Sequence, residues 1–148
     1  MADPIALLPA AGSRIAIVGA CGGIGAEITA QLTAGGCDAI ALDLPRSLEE
    51  APPPVAHRIA IDGRDEASVD AAFARLGEIA PDPDGLVLAA GFAGQRMPIG
   101  EWSVAQIDEI LSGNLRLMPL CLRAALPLLD HGGPASVVML TSDMAYVP

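Results

Sequence analysis

The stretch Val18-Gly19-Ala20-Cys21-Gly22-Gly23-Ile24-Gly25 places four glycines directly after an apolar run. Glycines at this spacing let a chain turn tightly and bring its backbone close to a pyrophosphate. A helix that follows adds free N–H groups and its positive dipole end. Gly19, Cys21, Gly22, Gly23, Ile24 and Gly25 are therefore candidate cofactor-binding residues, with Cys21 read as a small filler and not a nucleophile. A glycine-rich turn can also be purely structural, so its neighbours matter. Asp43 follows the turn by roughly the 20-residue interval expected of a ribose-binding acid. Its carboxylate can accept from both ribose hydroxyls and repels a 2′-phosphate, which favours NAD over NADP; Leu44 lies beside it. Arg46 pulls the other way, since an arginine there can accommodate a 2′-phosphate. Asp62 suits either the adenine amino group or the cap of a helix opened by Asp65-Glu66. Ser142 offers a hydroxyl that could polarise a carbonyl, although a serine there can equally be a turn residue. Asn114 interrupts a helical pattern where asparagine is unfavourable, and so marks a helix break or a polar task.

Elements that could hold these residues follow from the hydrophobic pattern. Ile15 to Ala20, Ala39 to Leu42, Val55 to Ile61, Gly85 to Ala90 and Ser136 to Leu140 are short apolar runs and predict five strands. Between them lie helical patterns. Ile24, Ile28 and Leu32 recur every four residues, and Gly35-Gly36 stops that helix. Val69, Ala72, Phe73, Leu76 and Ile79 form a second face. Ser103 to Leu111 and Leu115 to Leu129 read as helix, with Leu115, Met118, Leu122, Ala125 and Leu129 as the inner stripe. Pro119 should kink that helix or mark a break. Leu44 to Pro54 reads as turn-rich. This alternation predicts an α/β, Rossmann-type doubly wound parallel sheet. Ligands of such a sheet bind beyond the strands' carboxyl ends. The glycine turn, Asp43, Asp62, the segment Ala89-Ala90-Gly91 and Ser142 all fall at such ends.

Composition narrows the chemistry. The chain has 148 residues, a size that suits one domain, and is 52% hydrophobic with 3% aromatic residues. Its core must be aliphatic, as in parallel sheets buried on both faces. The net charge of −10 argues against nucleic acid as a partner. All eight cations are arginine, so no Schiff-base or P-loop lysine is present. Cys21, Cys37 and Cys121 read as reduced thiols of a cytoplasmic protein. His57 and His131 lie far apart with no ligand cluster, so no metal site is expected. The apolar stretch Leu115 to Leu129 contains Arg116, Pro119, Arg123 and Pro127, and reads as a buried helix and not a membrane span. Met1 to Ala11 lacks the basic start of a secretory signal.

Taken together, these residues resemble the N-terminal half to two-thirds of a short-chain dehydrogenase/reductase. That family's turn is Thr-Gly-x-x-x-Gly-x-Gly. Gly19, Gly23 and Gly25 match it, with Val18 in place of Thr. Asp43 matches the NAD-selecting acid, and Asp62-Gly63 the adenine-contacting segment. Leu88-Ala89-Ala90-Gly91 matches the family's Asn-Asn-Ala-Gly in its last two positions only. Ala89 stands where an asparagine usually ties strand four to its neighbours. Asn114 matches the helix asparagine that holds a water in the proton relay, and Ser142 the catalytic serine.

The resemblance implies hydride transfer between NAD and an alcohol or ketone, about five of the usual seven strands, and a homo-oligomer, dimer or tetramer. It also implies a Tyr-x-x-x-Lys pair roughly a dozen residues past the serine. The sequence stops six residues past Ser142. Tyr146 comes too soon and there is no lysine, so the 148 residues alone are expected to be inactive and to belong to a longer fold. Two other functions fit the same residues. One is a dinucleotide-binding module without catalysis. The other is an extended-branch sugar-nucleotide epimerase or dehydratase, to which Gly19-x-x-Gly22-x-x-Gly25, Asp62-Gly63-Arg64-Asp65 and Thr141 to Tyr146 are similar. The interval from Asn114 to Ser142 fits the short branch better.

Overall fold

The computed structural model describes residues 9–92, 94 and 97–142. Tyr146 and its neighbours from Asp143 onward lie outside the described residues. The sheet has five strands: β1 (Arg14–Val18), β2 (Asp38–Asp43), β3 (His57–Ala60), β4 (Gly85–Leu88) and β5 (Ser136–Met139). Their order is β3-β2-β1-β4-β5, and every pairing is parallel. The chain steps outward from β1 to β3, then returns to the other side of β1 for β4. The order therefore reverses between β1 and β4, the topological switch point where such sheets take ligands. The doubly wound α/β expectation holds.

Five helices connect the strands: α1 (Gly23–Ala34), α2 (Pro45–Glu50), α3 (Glu66–Ile79), α4 (Val104–Leu111) and α5 (Leu117–Leu129). A 3₁₀ turn, Ile99–Glu101, precedes α4, and a π-helical turn, Ser112–Arg116, joins α4 to α5. The three central strands, β2, β1 and β4, are buried on both faces. Ile17, Ala41 and Val87 meet α1 through Leu32 and Ile28 on one side. Val18, Leu42 and Leu88 meet α3 and α5 on the other, through Phe73, Leu76, Leu117 and Cys121. Full burial of one such aliphatic side chain contributes about 1.5–3 kcal/mol, so the small aromatic content costs the core little.

Several local expectations shift. α3 buries Val69, Ala72, Phe73 and Leu76 as anticipated. In α1 the buried residues are Gly25, Thr29 and Leu32, while Ile24 is 62% exposed. The cause is Gly25: a Cβ there would run into the carbonyl of Gly19. That close approach seats the first turn on the glycine and swings Ile24 outward. Thr29 stays satisfied by donating from Oγ1 to the Gly25 carbonyl at 2.7 Å.

In α5 the buried residues are Leu117, Cys121, Ala125 and Leu129; of the expected stripe Ala125 and Leu129 are inside, while Leu115 is 68% exposed. This helix is apolar on most sides, so periodicity alone could not select the face. Packing on α3 and β4 selects it. The break anticipated around Pro119 appears as the π-helical turn immediately ahead of α5. The turn-rich reading of Leu44 to Pro54 misses α2, which begins at Pro45, where a missing N–H costs nothing. β3 is shorter than the expected Val55 to Ile61.

Candidate functional site

The glycine turn sits at the carboxyl end of β1 because the sheet's hydrogen bonding continues into it. The N–H groups of Gly19 and Ala20 both donate to the Leu42 carbonyl, at 2.8 and 3.3 Å. Gly19 has φ +89°, and a Cβ on it would lie 2.5 Å from the Ala90 backbone nitrogen. Only glycine lets the turn cross the end of β4 so closely. Gly22 caps α1, whose first intrahelical bond runs from Ala26 N–H to the Gly22 carbonyl at 2.7 Å. The N–H groups of Gly23, Ile24 and Gly25 thus head the helix, and no acid occupies its first turn to compete for them.

Beyond the strand ends lies a cavity of about 530 Å³. Gly19, Cys21 and Gly22 line it from the turn, and Asp43 and Leu44 from the end of β2. Asp62 and Gly63 close the β3 side, and Ala89, Ala90 and Gly91 the β4 side. Gly23, Ile24 and Gly25 are set back from the lining. So is Ser142, which is exposed just past β5. The structure thus gathers ten of the sequence-selected residues and leaves the others outside the cavity wall.

Asp43 is anchored at both carboxylate oxygens by backbone N–H groups. One carboxylate oxygen accepts from Cys21 N–H at 2.7 Å and the other from Leu44 N–H at 2.8 Å. Both bonds leave lone pairs for further donors. The Cys21 thiol beside it is pushed up to about 11, by burial first, then by the Asp43 charge and hydrogen bond. It is a protonated thiol at neutral pH.

Asp62 neither caps α3 nor stands alone. The cap is Asp65, which accepts from Ala67 N–H at 3.1 Å. Asp62 instead accepts from Arg64 through its N–H, Nε and Nη2, at 3.0, 3.0 and 2.9 Å. Those bonds, outweighing partial burial, hold its carboxyl below the usual range. Arg64 reaches on to Glu109 of α4 at 3.5 Å.

Asn114 lies in the π-helical turn and has a full set of partners. Its Oδ1 accepts from Phe92 N–H at 2.8 Å. Its Nδ2 donates to the carbonyls of Phe92 at 2.7 Å and Ile110 at 2.9 Å. The helix disturbance and the polar task are one feature: the wide turn lets an asparagine grip the loop after β4. Ala89 offers no polar side chain, and its strand is fastened by its own N–H to the Val18 carbonyl at 2.8 Å.

Sequence reasoning missed Ser47 and Glu50 of α2, together with Arg64, Phe92, Gly113 and Leu117, all of which line the cavity. The spacing Leu44, Ser47, Ala51 was a helical signal masked by Pro52-Pro53-Pro54. Among the described residues no group of three His, Cys, Asp or Glu side chains could hold a metal ion.

Comparison with known proteins decides the family. Residues 19–148 match the enoyl-(acyl carrier protein) reductase family. Short chain dehydrogenase mpl6 of Monascus purpureus is 30% identical over 149 residues, covering 92% of this chain. The chain belongs to the short-chain dehydrogenase/reductase family. It is also similar to the 2-dehydro-3-deoxy-L-rhamnonate dehydrogenase (NAD(+)) of Sphingomonas sp. (strain SKA58), at 28% identity over 139 residues and 89% of this chain. The crystal structure of levodione reductase superposes with a TM-score of 0.79 at 27% identity, covering 90% of this chain and 55% of that one. The chain spans about half the length of the curated relatives it matches, 54% and 51% of the two dehydrogenases. The fold agrees with this membership.

Proposed function

We propose that this chain forms the cofactor-binding portion of an NAD-dependent oxidoreductase that moves hydride between nicotinamide and an alcohol or ketone. The anchored carboxylate of Asp43, at the rim of a cavity built on the switch point of the sheet, carries this reading. The residues fit a dinucleotide. The head of α1, at Gly22 to Gly25, supplies backbone donors for a pyrophosphate. Asp43 accepts from the adenosine ribose. Gly63 and Leu117 line the cavity beside Asp62 and pack on each other, since a Cβ on Gly63 would collide with the Leu117 side chain, and they give the adenine an apolar wall. Ala89, Ala90 and Gly91 give the nicotinamide half a wall of small residues.

Bound nicotinamide supplies the hydride donor or acceptor. The chain's own part is to bind and orient. Asn114 fixes the loop after β4 and so the wall against which the ring would lie. Ser142, at the end of β5, is the hydroxyl proposed to polarise the substrate carbonyl. In this reading the partners are a small alcohol or ketone and further copies of the same chain, as a dimer or tetramer. The three free cysteines suit a cytoplasmic setting.

Calorimetric titration of the 148-residue chain with NAD and NADP tests the proposal. Binding of NAD is expected, with NADP weaker. Asp43→Asn should lose about tenfold in NAD affinity, the equivalent of roughly 1.4 kcal/mol, and narrow the gap to NADP. Gly22→Val is the clean test of the phosphate cradle. Gly22 has φ −71°, and a Cβ there meets only the Gly19 carbonyl at 3.5 Å. The fold should survive while the side chain blocks the cradle. Unchanged NAD binding by Gly22→Val, or equal affinity of the unaltered chain for both nucleotides, counts against this assignment.

A further inference from the structure

The adenosine end of the cavity carries a charge arrangement that Asp43 alone does not explain. α2 turns Leu44, Ser47, Glu50 and Ala51 toward the cavity. Its one cation, Arg46, is not part of that lining. It is held instead by Glu50, with Nε 2.6 Å from Oε1, one helical turn on. The cavity lining presents three carboxylates, Asp43, Glu50 and Asp62; Asp62 is taken up by Arg64, and the cation nearest in sequence to the other two is engaged by Glu50. The arginine that does line the cavity, Arg64, is itself paired with Asp62 and Glu109.

Glu50 also sits in the last turn of its helix, where exposed carbonyls make an acid unfavourable. Its i,i+4 pair with Arg46 offsets that cost by a small amount. A 2′-phosphate adds about −1.5 to −2 charges, whereas a 2′-hydroxyl adds none. The arrangement thus separates two otherwise identical nucleotides.

We propose that Glu50 is a second specificity-determining residue, which discriminates against a 2′-phosphorylated nucleotide both by its own charge at the cavity wall and by holding Arg46 away from the phosphate position. The proposal rests on the dinucleotide reading of the cavity. Arg46 is then a latent phosphate reader: its guanidinium has the right chemistry, and Glu50 keeps it occupied. Glu50→Gln removes one repulsive charge and releases the guanidinium at once.

The test measures Kd for NAD and for NADP by calorimetry at low salt, and reads their ratio within each variant. A ratio from one preparation cancels any loss of folded fraction. Glu50→Gln should lower Kd(NADP)/Kd(NAD) about threefold to tenfold, the range of one or two solvent-exposed charge interactions. Adding Arg46→Ala to that variant should give back part of the shift. Glu78→Gln, which also removes one acid from an exposed arginine pair but on α3, far along the chain from the cavity lining, should leave the ratio where it was. At about 0.5 M salt the Glu50→Gln shift should shrink, since exposed charges are then screened.

An unmoved ratio in Glu50→Gln overturns the proposal, as does an equal shift in Glu78→Gln, which would make net charge the cause. A double variant that keeps the whole shift overturns the role of Arg46 and leaves only the charge of Glu50. If the unaltered chain binds neither nucleotide, the dinucleotide reading itself falls and this proposal with it. Binding of both with a ratio indifferent to Glu50 sinks this proposal alone.

Discussion

Cys21 and Asp43 form the most informative pair at the residue scale, because each sets the other's chemistry. The thiol is pushed up to about 11 by burial, and then by the neighbouring carboxylate. Alkylation needs the thiolate. Iodoacetamide should therefore label Cys21 slowly at pH 8, and the rate should climb about tenfold per pH unit until pH approaches 11. Asp43→Asn removes the charge but not the burial, so labelling should speed up while staying slower than an ordinary cysteine. Mass spectrometry of timed digests follows both. Fast labelling of the unaltered protein at pH 7 would mean that burial and the Asp43 carboxylate do not hold the thiol protonated.

Asp62 and Arg64 make a second pair with a pH signature. Arg64 holds the Asp62 carboxyl below its usual value. A depressed folded-state value contributes stability that is present above the unfolded value and lost as pH falls through the folded one. Both side chains are partly exposed, with 33% and 46% accessibility, so the contribution is small, about 0.5–1 kcal/mol. Arg64→Ala should lower the melting temperature slightly at pH 7, and the difference should shrink as pH falls below the usual carboxylate range. An undiminished difference at pH 2 would point to lost packing, not to the ion pair.

The glycine turn teaches most at the scale of elements. Gly19 and Gly23 look equivalent in the sequence, and the structure separates them. Gly19 has φ +89° and its missing Cβ faces the Ala90 backbone, while nothing lies within 4 Å of a Cβ on Gly23. Gly19→Ala should destabilise the fold by more than about 2 kcal/mol through strain and collision. Gly23→Ala, inside α1, should be neutral or stabilising by up to about 1 kcal/mol. Urea titrations of the two variants decide it. Equal stabilities would mean the turn does not cross β4 as described. It follows that a Gly19 substitution is a poor probe of nucleotide binding, because it perturbs the scaffold as well as the site.

This contrast shows where the sequence was legible. Strands, their alternation with helices, the glycine turn and Asp43 were readable because apolar runs and turn glycines are local signals. The inner face of α5 was not, because that helix is apolar on most sides and only its contacts choose a face. α2 and its Glu50 were hidden by three following prolines. The partners of Asn114 were unreadable for a different reason. They lie 22 residues away in the chain, and no local pattern encodes a grip over that span.

Two forces oppose each other at the scale of the whole molecule. The net charge of −10 keeps copies apart. Against it stand two exposed apolar surfaces. One is α4 and the turn after it, where Val104, Ile107, Leu111 and Leu115 are exposed at helical spacing. The other is β5, an edge strand exposed at all four positions, with Val137, Val138 and Met139 uncovered. An apolar edge strand with unpaired backbone groups is a template for association.

Salt separates the two forces. It screens the repulsion, with a Debye length near 10 Å at 0.1 M, and does not weaken apolar contact. Sedimentation velocity should therefore show self-association that grows from 0.02 to 0.5 M NaCl, the reverse of an interface made by ion pairs. Leu111→Glu and Val138→Glu place a charge on each surface in turn. Both residues are exposed, at 49% and 53%, so stability should change little, by about 0.5 kcal/mol. The variant that abolishes the salt-driven species identifies the surface responsible. Association that weakens with salt, or that both variants leave intact, would place the contact elsewhere on the molecule.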